Sequence, residues 1–329
     1  MLSRRVLLSI AVFGVAGFAI QAVPGAESGL RAYPSKPIRM VVPTAAGSAT
    51  DTLARLIGSN MAESWGHQVV VDDRPSAGGT IAGTIVATAA PDGHTLLVAA
   101  GAFAGSAALY DKLPYDPLRD FQGITQLAST PMVLVVSPSL GVKSVKELIA
   151  LARQKPGQLS FSSAGIASGT HYGGERFKLA AKIDVVHVPY KGSPAALNDV
   201  IGGRVQFMVS SILPAVPLIK SGRVVALAVT TPQRAAPLPD VPTVGELGLP
   251  EAQCDGWYGV FAQSRTPRSI VNALSEEIGR ILDLRQVQEK ITALGAMAHR
   301  STPEALDKMM REEIVLRGET FRASGAKVE

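Results

Sequence analysis

The chain has 329 residues, 47% of them hydrophobic and 18% charged, with 32 basic and 27 acidic side chains for a formal net charge of +5. That is ample for one large or two medium domains, and the dispersed, mildly basic charge gives no nucleic-acid footprint. Cys254 is the only cysteine, so no intramolecular disulfide forms and the fold rests on its core.

An export signal opens the chain. Arg4 and Arg5 form a basic start, Val6 to Ile20 are apolar or small except Ser9, and Gln21 to Ala32 are small and polar. This stretch is too short and too weakly flanked to span a bilayer, and residues 1–32 read as a secretory signal. Cleavage fits after Ala22, Ala26 or Ala32, and Ser3 to Leu8 approach the twin-arginine pattern, so general secretion and twin-arginine export both stay open. No cysteine lies near the cleavage zone, which excludes a lipoprotein. Removing Arg4 and Arg5 lowers the net charge by two.

Ile38 to Val42 read as a strand that stops at Pro43, and Leu53, Leu56, Ile57 and Met61 then repeat at helical spacing. The small residues between them, Thr44, Ala45, Ala46, Gly47 and Ser48, form a strand-to-helix loop with Thr50 or Asp51 as the predicted cap. Such a loop leaves backbone N–H groups at the positive end of a helix dipole and suits an anion. No lysine follows at P-loop spacing, so a small carboxylate fits better than a nucleotide. An ordinary strand–helix turn is the plain alternative.

Strands and helices keep alternating. Val69 to Val71 form a strand, and Ser76 to Thr80 open a helix through Ile81, Ile85 and Val86. Thr95 to Ala100 form a buried-type strand running into Gly101, Ala102 and Phe103. Further strands are predicted at 132–136, 159–162, 184–188, 205–209, 224–229 and 257–262. Ser144 to Glu147 are a capping box that opens a helix stopped by Pro156, and Ser193-Pro194 start another. Thr266-Pro267 and Thr302-Pro303 precede two amphipathic helices. This alternation argues for mostly parallel sheets with helices on both faces. Small-residue loops recur at strand ends (43–50, 76–80, 101–106, 162–170 and 210–211), where open α/β sheets bind ligands.

With these residues in view, the chain resembles the substrate-binding receptors of the tripartite tricarboxylate transporter family, also called the Bordetella uptake gene (Bug) family. The resemblance is carried by Tyr33 to Ile38, by Val41-Val42-Pro43 through Asp51 with Ala54-Arg55, and by Asp73 to Gly79. Ala90 to Leu97, Leu113 to Pro117, His187 to Gly192, Leu238 to Thr243 and Trp257-Tyr258-Gly259 complete it, in family order along the mature chain. It implies a two-lobed, type II-like periplasmic binding protein, α/β in class and monomeric. Lobe one is then 33–131 with 255–329, lobe two 132–254, and the hinge runs through 131–136 and 256–262. The implied partners are a small organic acid, held between the lobes, and a permease of a large and a small integral membrane subunit.

Carried over residue by residue, the family pattern places Thr44 to Ser48, Thr50 and Asp51 at a ligand carboxylate, with Ala77, Gly78, Gly79, Ala102 and Phe103 on the same lobe. The other lobe contributes Ser163, Ala164, Ser168, Thr170, His171, Tyr190, Lys191, Ser210 and Ser211. Thr44 stands where relatives usually carry an aromatic residue, Ser48 where glycine is usual, and Ser210 where many have aspartate. Loss of that aspartate disfavours a ligand with an ammonium group and points to a dicarboxylate, a hydroxy-acid or an aromatic acid.

Plainer roles stand beside several of these. Asp51 also suits a helix cap, Lys191 a solvated loop, Trp257 core or hinge packing and His187 a structural strand residue. His171 suits either ligand contact or solvent. The five histidines are far apart in sequence, so no metal motif or cofactor is read. Gly165 to Gly169 is not G-x-S-x-G, because the serine stands one place late. The protein is therefore read as a receptor and not an enzyme, with a periplasmic sensor or an exported hydrolase as alternatives.

Overall fold

β1 (Ile38–Val42) turns into α1 (Ala49–Trp65), and β2 (Val69–Asp73) returns parallel to β1. α2 (Thr80–Ala87), β3 (Thr95–Ala100), α3 (Gly101–Leu109) and β4 (Phe121–Thr130) follow. The computed structural model describes residues 33–326 apart from Asp111, so the signal read over 1–32 lies outside the described residues. Beyond Pro131 come β5 (Met132–Val136), α4 (Val145–Gln154), β6 (Ser160–Ser163), α5 (Gly169–Ala181), β7 (Val186–Pro189), α6 (Ser193–Ile201), β8 (Phe207–Ser211), α7 (Ile212–Lys220) and β9 (Val225–Val229). The chain then returns through β10 (Gly256–Gln263), α8 (Arg268–Leu282), α9 (Arg285–Ala293), β11 (Met297–Ala298) and α10 (Pro303–Ser324). No helix among the described residues is long and apolar enough to cross a membrane.

These strands make two mixed sheets, ordered β11-β4-β10-β3-β1-β2 and β7-β6-β8-β5-β9. Pairs of β1 and of β6 are parallel, whereas β10, β4, β5 and β9 pair antiparallel. The antiparallel strands include those that carry the chain from one sheet to the other. β5 is buried at all its positions, as expected for a strand covered on both faces. One core packs Val41, Phe103, Phe121, Trp257 and Phe261 under the first sheet, and two pack on opposite faces of the second.

The two crossings run side by side. Pro131 alone separates β4 from β5. On the return, Thr230 donates its N–H to the Met132 carbonyl at 2.9 Å and accepts the Cys254 N–H at its own carbonyl at 3.2 Å. Gly256 then pairs with Thr130, where a Cβ would collide with the threonine methyl group.

α10 spans both halves. Its first turns put Leu306 and Met310 into the first core, and Phe321 lies in a core of the second sheet. Thr302 caps its start, Pro303 takes the first turn, and Gly325 ends it in the left-handed conformation that glycine adopts without strain.

Candidate functional site

Four helices, α1, α3, α5 and α7, each begin within a short turn of the strand before them, β1, β3, β6 and β8. Their N-termini therefore lie at the carboxyl ends of those strands, where unpaired N–H groups and helix dipoles favour an anion.

The first loop is held from inside. Ser48, rather than Thr50 or Asp51, caps α1 by accepting the Asp51 N–H at 3.2 Å, and its hydroxyl meets that of Thr44 at 2.6 Å. Asp51 is buried and accepts the Gly47 N–H at 2.7 Å, while its second oxygen lies 2.7 Å from Arg55 Nε. Arg55 also pairs with Asp73 at 2.9 Å. Burial, followed by the nearby Asp51 charge, raises the Asp73 carboxyl above its usual range. This network takes up the N–H groups of Gly47 and Asp51, and that of Ser48 goes to the Ala45 carbonyl. Ala45 and Ala46 stay exposed at the tip.

Two neighbouring segments of the same lobe press against this loop. Ala77, Gly78 and Gly79 form a tight turn in which both glycines take positive φ. A Cβ on Gly79 would stand 2.9 Å from Pro43, and one on Gly78 would overlap the Ser106 hydroxyl. Glycine is thus required there by both conformation and space. α3 starts directly at Gly101, so Ala102 and Phe103 are helical. The Phe103 ring is buried against Phe121, Tyr115 and Phe261 at centroid distances of 5.2, 5.7 and 6.0 Å, which makes it core.

On the second lobe, Ser168 caps α5 by accepting the His171 N–H at 3.2 Å, and its hydroxyl donates to the Gly165 carbonyl at 2.6 Å. Ala164 donates its N–H to the Thr170 hydroxyl at 2.8 Å. Ser163 is fully buried, bonded to Gly165 and, at 2.6 Å, to His187 Nε2. His171 is 1% exposed and its Nδ1 accepts the Ala167 N–H at 3.2 Å, so the side chain braces the loop from behind. Tyr190 turns its hydroxyl to Asp199, and burial together with that carboxylate pushes the phenol up to about 12. Lys191 is exposed. Ser210 is fully buried and bonded to the Ser211 carbonyl, and Ser211 stands at the start of α7.

The lobes touch at this level. The carbonyl of Ala167, a non-glycine residue at φ 64°, lies against α3 at Gly105. Behind the contact, fully buried Arg317 of α10 pairs with Glu313 at 2.6 Å, sits 4.1 Å from the Tyr172 ring centroid and approaches Gly101. Trp257 donates to the same Glu313 at 3.1 Å. Sequence reading gave Gly105, Arg317 and Arg55 no place at the site. Only Arg55 had a signal, its four-residue spacing from Asp51.

Comparison with known proteins agrees with this architecture. The family model "Tripartite tricarboxylate transporter family receptor" matches residues 53–325. The chain is 33% identical to Protein BugT of Bordetella pertussis, over 99% of both chains. Among solved structures, it resembles Rpa4515 of R. palustris with adipate (33% identity, TM-score 0.80, covering 89% of this chain and 98% of that one). It also resembles MatC of Rhodopseudomonas palustris with bound malate (35% identity, TM-score 0.77, covering 88% and 99%). The family match over most of the chain, the 33% identity to BugT over nearly the full length of both and the shared two-lobed fold lead to one conclusion: this chain belongs to the tripartite tricarboxylate transporter receptor family, the family of the Bug proteins.

Proposed function

We propose that this protein is a periplasmic receptor that closes its two lobes, 33–131 with 255–329 and 132–254, on a small carboxylate lacking an ammonium group. It hands that acid to a permease of a large and a small membrane subunit. The observation that carries the reading is the set of helix N-termini at the strand ends, with the Ala45–Ala46 tip exposed and the lobes meeting at Gly105 and Ala167. The solved relatives with adipate and malate support a dicarboxylate or hydroxy-acid. The fully buried Ser210, bonded to backbone, supports the missing ammonium, since no carboxylate stands at that position. In this reading residues 1–32 are a cleaved, non-lipidated signal and the mature protein works as a monomer without cofactor or catalysis.

Ligand closes the lobes only as far as it binds the closed state more tightly than the open one. A thermal-melt screen of small acids, each beside its amide, tests the proposal. An acid at 100 times its dissociation constant adds about 2.7 kcal/mol of stability, while its amide adds none. Equal stabilisation by acid and amide, or tight binding of an amino acid and none of its deaminated analogue, sinks it.

A further inference from the structure

His171 and His187, sixteen positions apart in sequence, stack with ring centroids 3.9 Å apart. Glu175 lies one helical turn beyond His171 on α5, and the closest donor atoms of the three side chains all lie within 4.8 Å of one another. His171 and Glu175 are 1% and 2% exposed, and His171 Nε2 and one Glu175 oxygen have no hydrogen-bond partner among the described residues. Buried polar atoms are normally hydrogen-bonded, and these two have only ion-pair contacts at 3.5 Å, His171 Nε2 to the other Glu175 oxygen and the Glu175 oxygen to Lys178 Nζ, which leaves their coordinating capacity unused. A cavity of about 250 Å³ opens beside them, lined also by Lys178 and the end of α10 at Ser324 and Gly325.

Two imidazoles and one carboxylate form a donor set suited to zinc, with room in the cavity for a water as fourth ligand. We propose that His171 Nε2, the Glu175 carboxylate and His187 form a second site, separate from the carboxylate cleft, for a divalent zinc-type cation. His187 fits the role through its outer bond. Nε2 is engaged by Ser163, which leaves Nδ1 for the metal and fixes the ring, as ligating histidines usually require.

Coordination carries identifiable costs. His171 Nδ1 accepts the Ala167 N–H, which keeps the proton on Nε2, so a bound metal must displace that bond along with the proton. The rings are tilted by only 12°, so with His187 held by Ser163 the His171 ring must turn to aim both nitrogens at a common point. Lys178, 3.5 Å from Glu175 and 20% exposed, must swing outward. These costs make the site weaker than a closed structural zinc site.

The test uses the tag-free exported chain after chelator treatment, with zinc chloride and cobalt(II) chloride as probes. Calorimetry is expected to show one equivalent of zinc, and the cobalt protein a visible spectrum of low-coordinate type. Glu175→Gln and His187→Gln are each expected to weaken zinc at least tenfold, whereas His299→Gln leaves it unchanged. Variants are compared by their metal-free melts. If either fails to fold, nitrogen-15 shifts of the wild-type imidazoles decide: zinc must move His171 and His187. No stoichiometric zinc binding, or shifts confined to His67, His94 or His299, overturns the proposal.

Discussion

The Ala167 carbonyl occupies the place that a Cβ on Gly105 would need, so the second lobe's loop reaches α3 only because residue 105 has no side chain. Gly105→Ala separates two effects of opposite sign. Alanine in a helix interior gains about 0.5–1 kcal/mol over glycine, yet here it blocks the approach of the lobes. The expected variant is as stable as the parent or slightly more so, binds its acid at least about tenfold more weakly, and scatters X-rays as an open form with ligand present. A lowered melt with unchanged affinity would mean that the contact serves packing alone.

Asp51 holds the first loop through Gly47 and Arg55. Asp51→Ala removes the charged acceptor of the Gly47 N–H and leaves Arg55 with Asp73 only. The expected loss is about 1.5–3 kcal/mol of unfolding free energy in urea, with weaker acid binding. Asp73 should titrate lower in the variant, because one cause of its raised pKa is gone; proton-coupled NMR of its carboxyl checks this.

Arg317→Met leaves Glu313 without its buried partner, and breaking such a pair costs about 3–5 kcal/mol. The double variant Arg317→Met/Glu313→Gln should recover part of that loss. Equilibrium unfolding of the parent, Arg317→Met, Glu313→Gln and the double variant measures the coupling, and strict additivity would show that the pair is not an energetic unit.

Cys254 is 9% exposed, and burial pushes its thiol up to about 11. Native protein at neutral pH should therefore react negligibly with a thiol reagent. Labelling should appear in urea together with the loss of circular dichroism. Labelling well before that loss would reveal local opening at the crossing near Thr230.

Much of this architecture is legible as pattern. The runs at 38–42, 95–100 and 132–136 are apolar because both their faces are covered, and the structure has strands at each. β4 was missed because Gln122, Thr125, Gln126 and Thr130 break its apolar run, although most of the strand is buried. Its polar groups are satisfied by distant ones, as when Thr125 donates to the Ser301 carbonyl at 2.9 Å, and no local pattern announces such a partner. The cap of α1 was legible but misplaced. Ser48 with Asp51 three residues on follows the same logic as the Ser144–Glu147 box, in which an acid reaches back to an upstream N–H. At the site, the loops could be read from their small residues, but the direction of each side chain could not. Phe103 turns into a core and His171 behind its loop because of residues far away in sequence.

The first sheet is discontinuous: β3 and β4 both pair with β10, which the ribosome makes only after the whole of the second sheet. The second sheet is drawn from one uninterrupted stretch, β5 to β9. Contacts of long sequence separation form late, because loop closure must precede their reward. During synthesis the second sheet is thus the part able to assemble early. The first stays an unfinished set of strands until β10 arrives, and α10 joins both halves last.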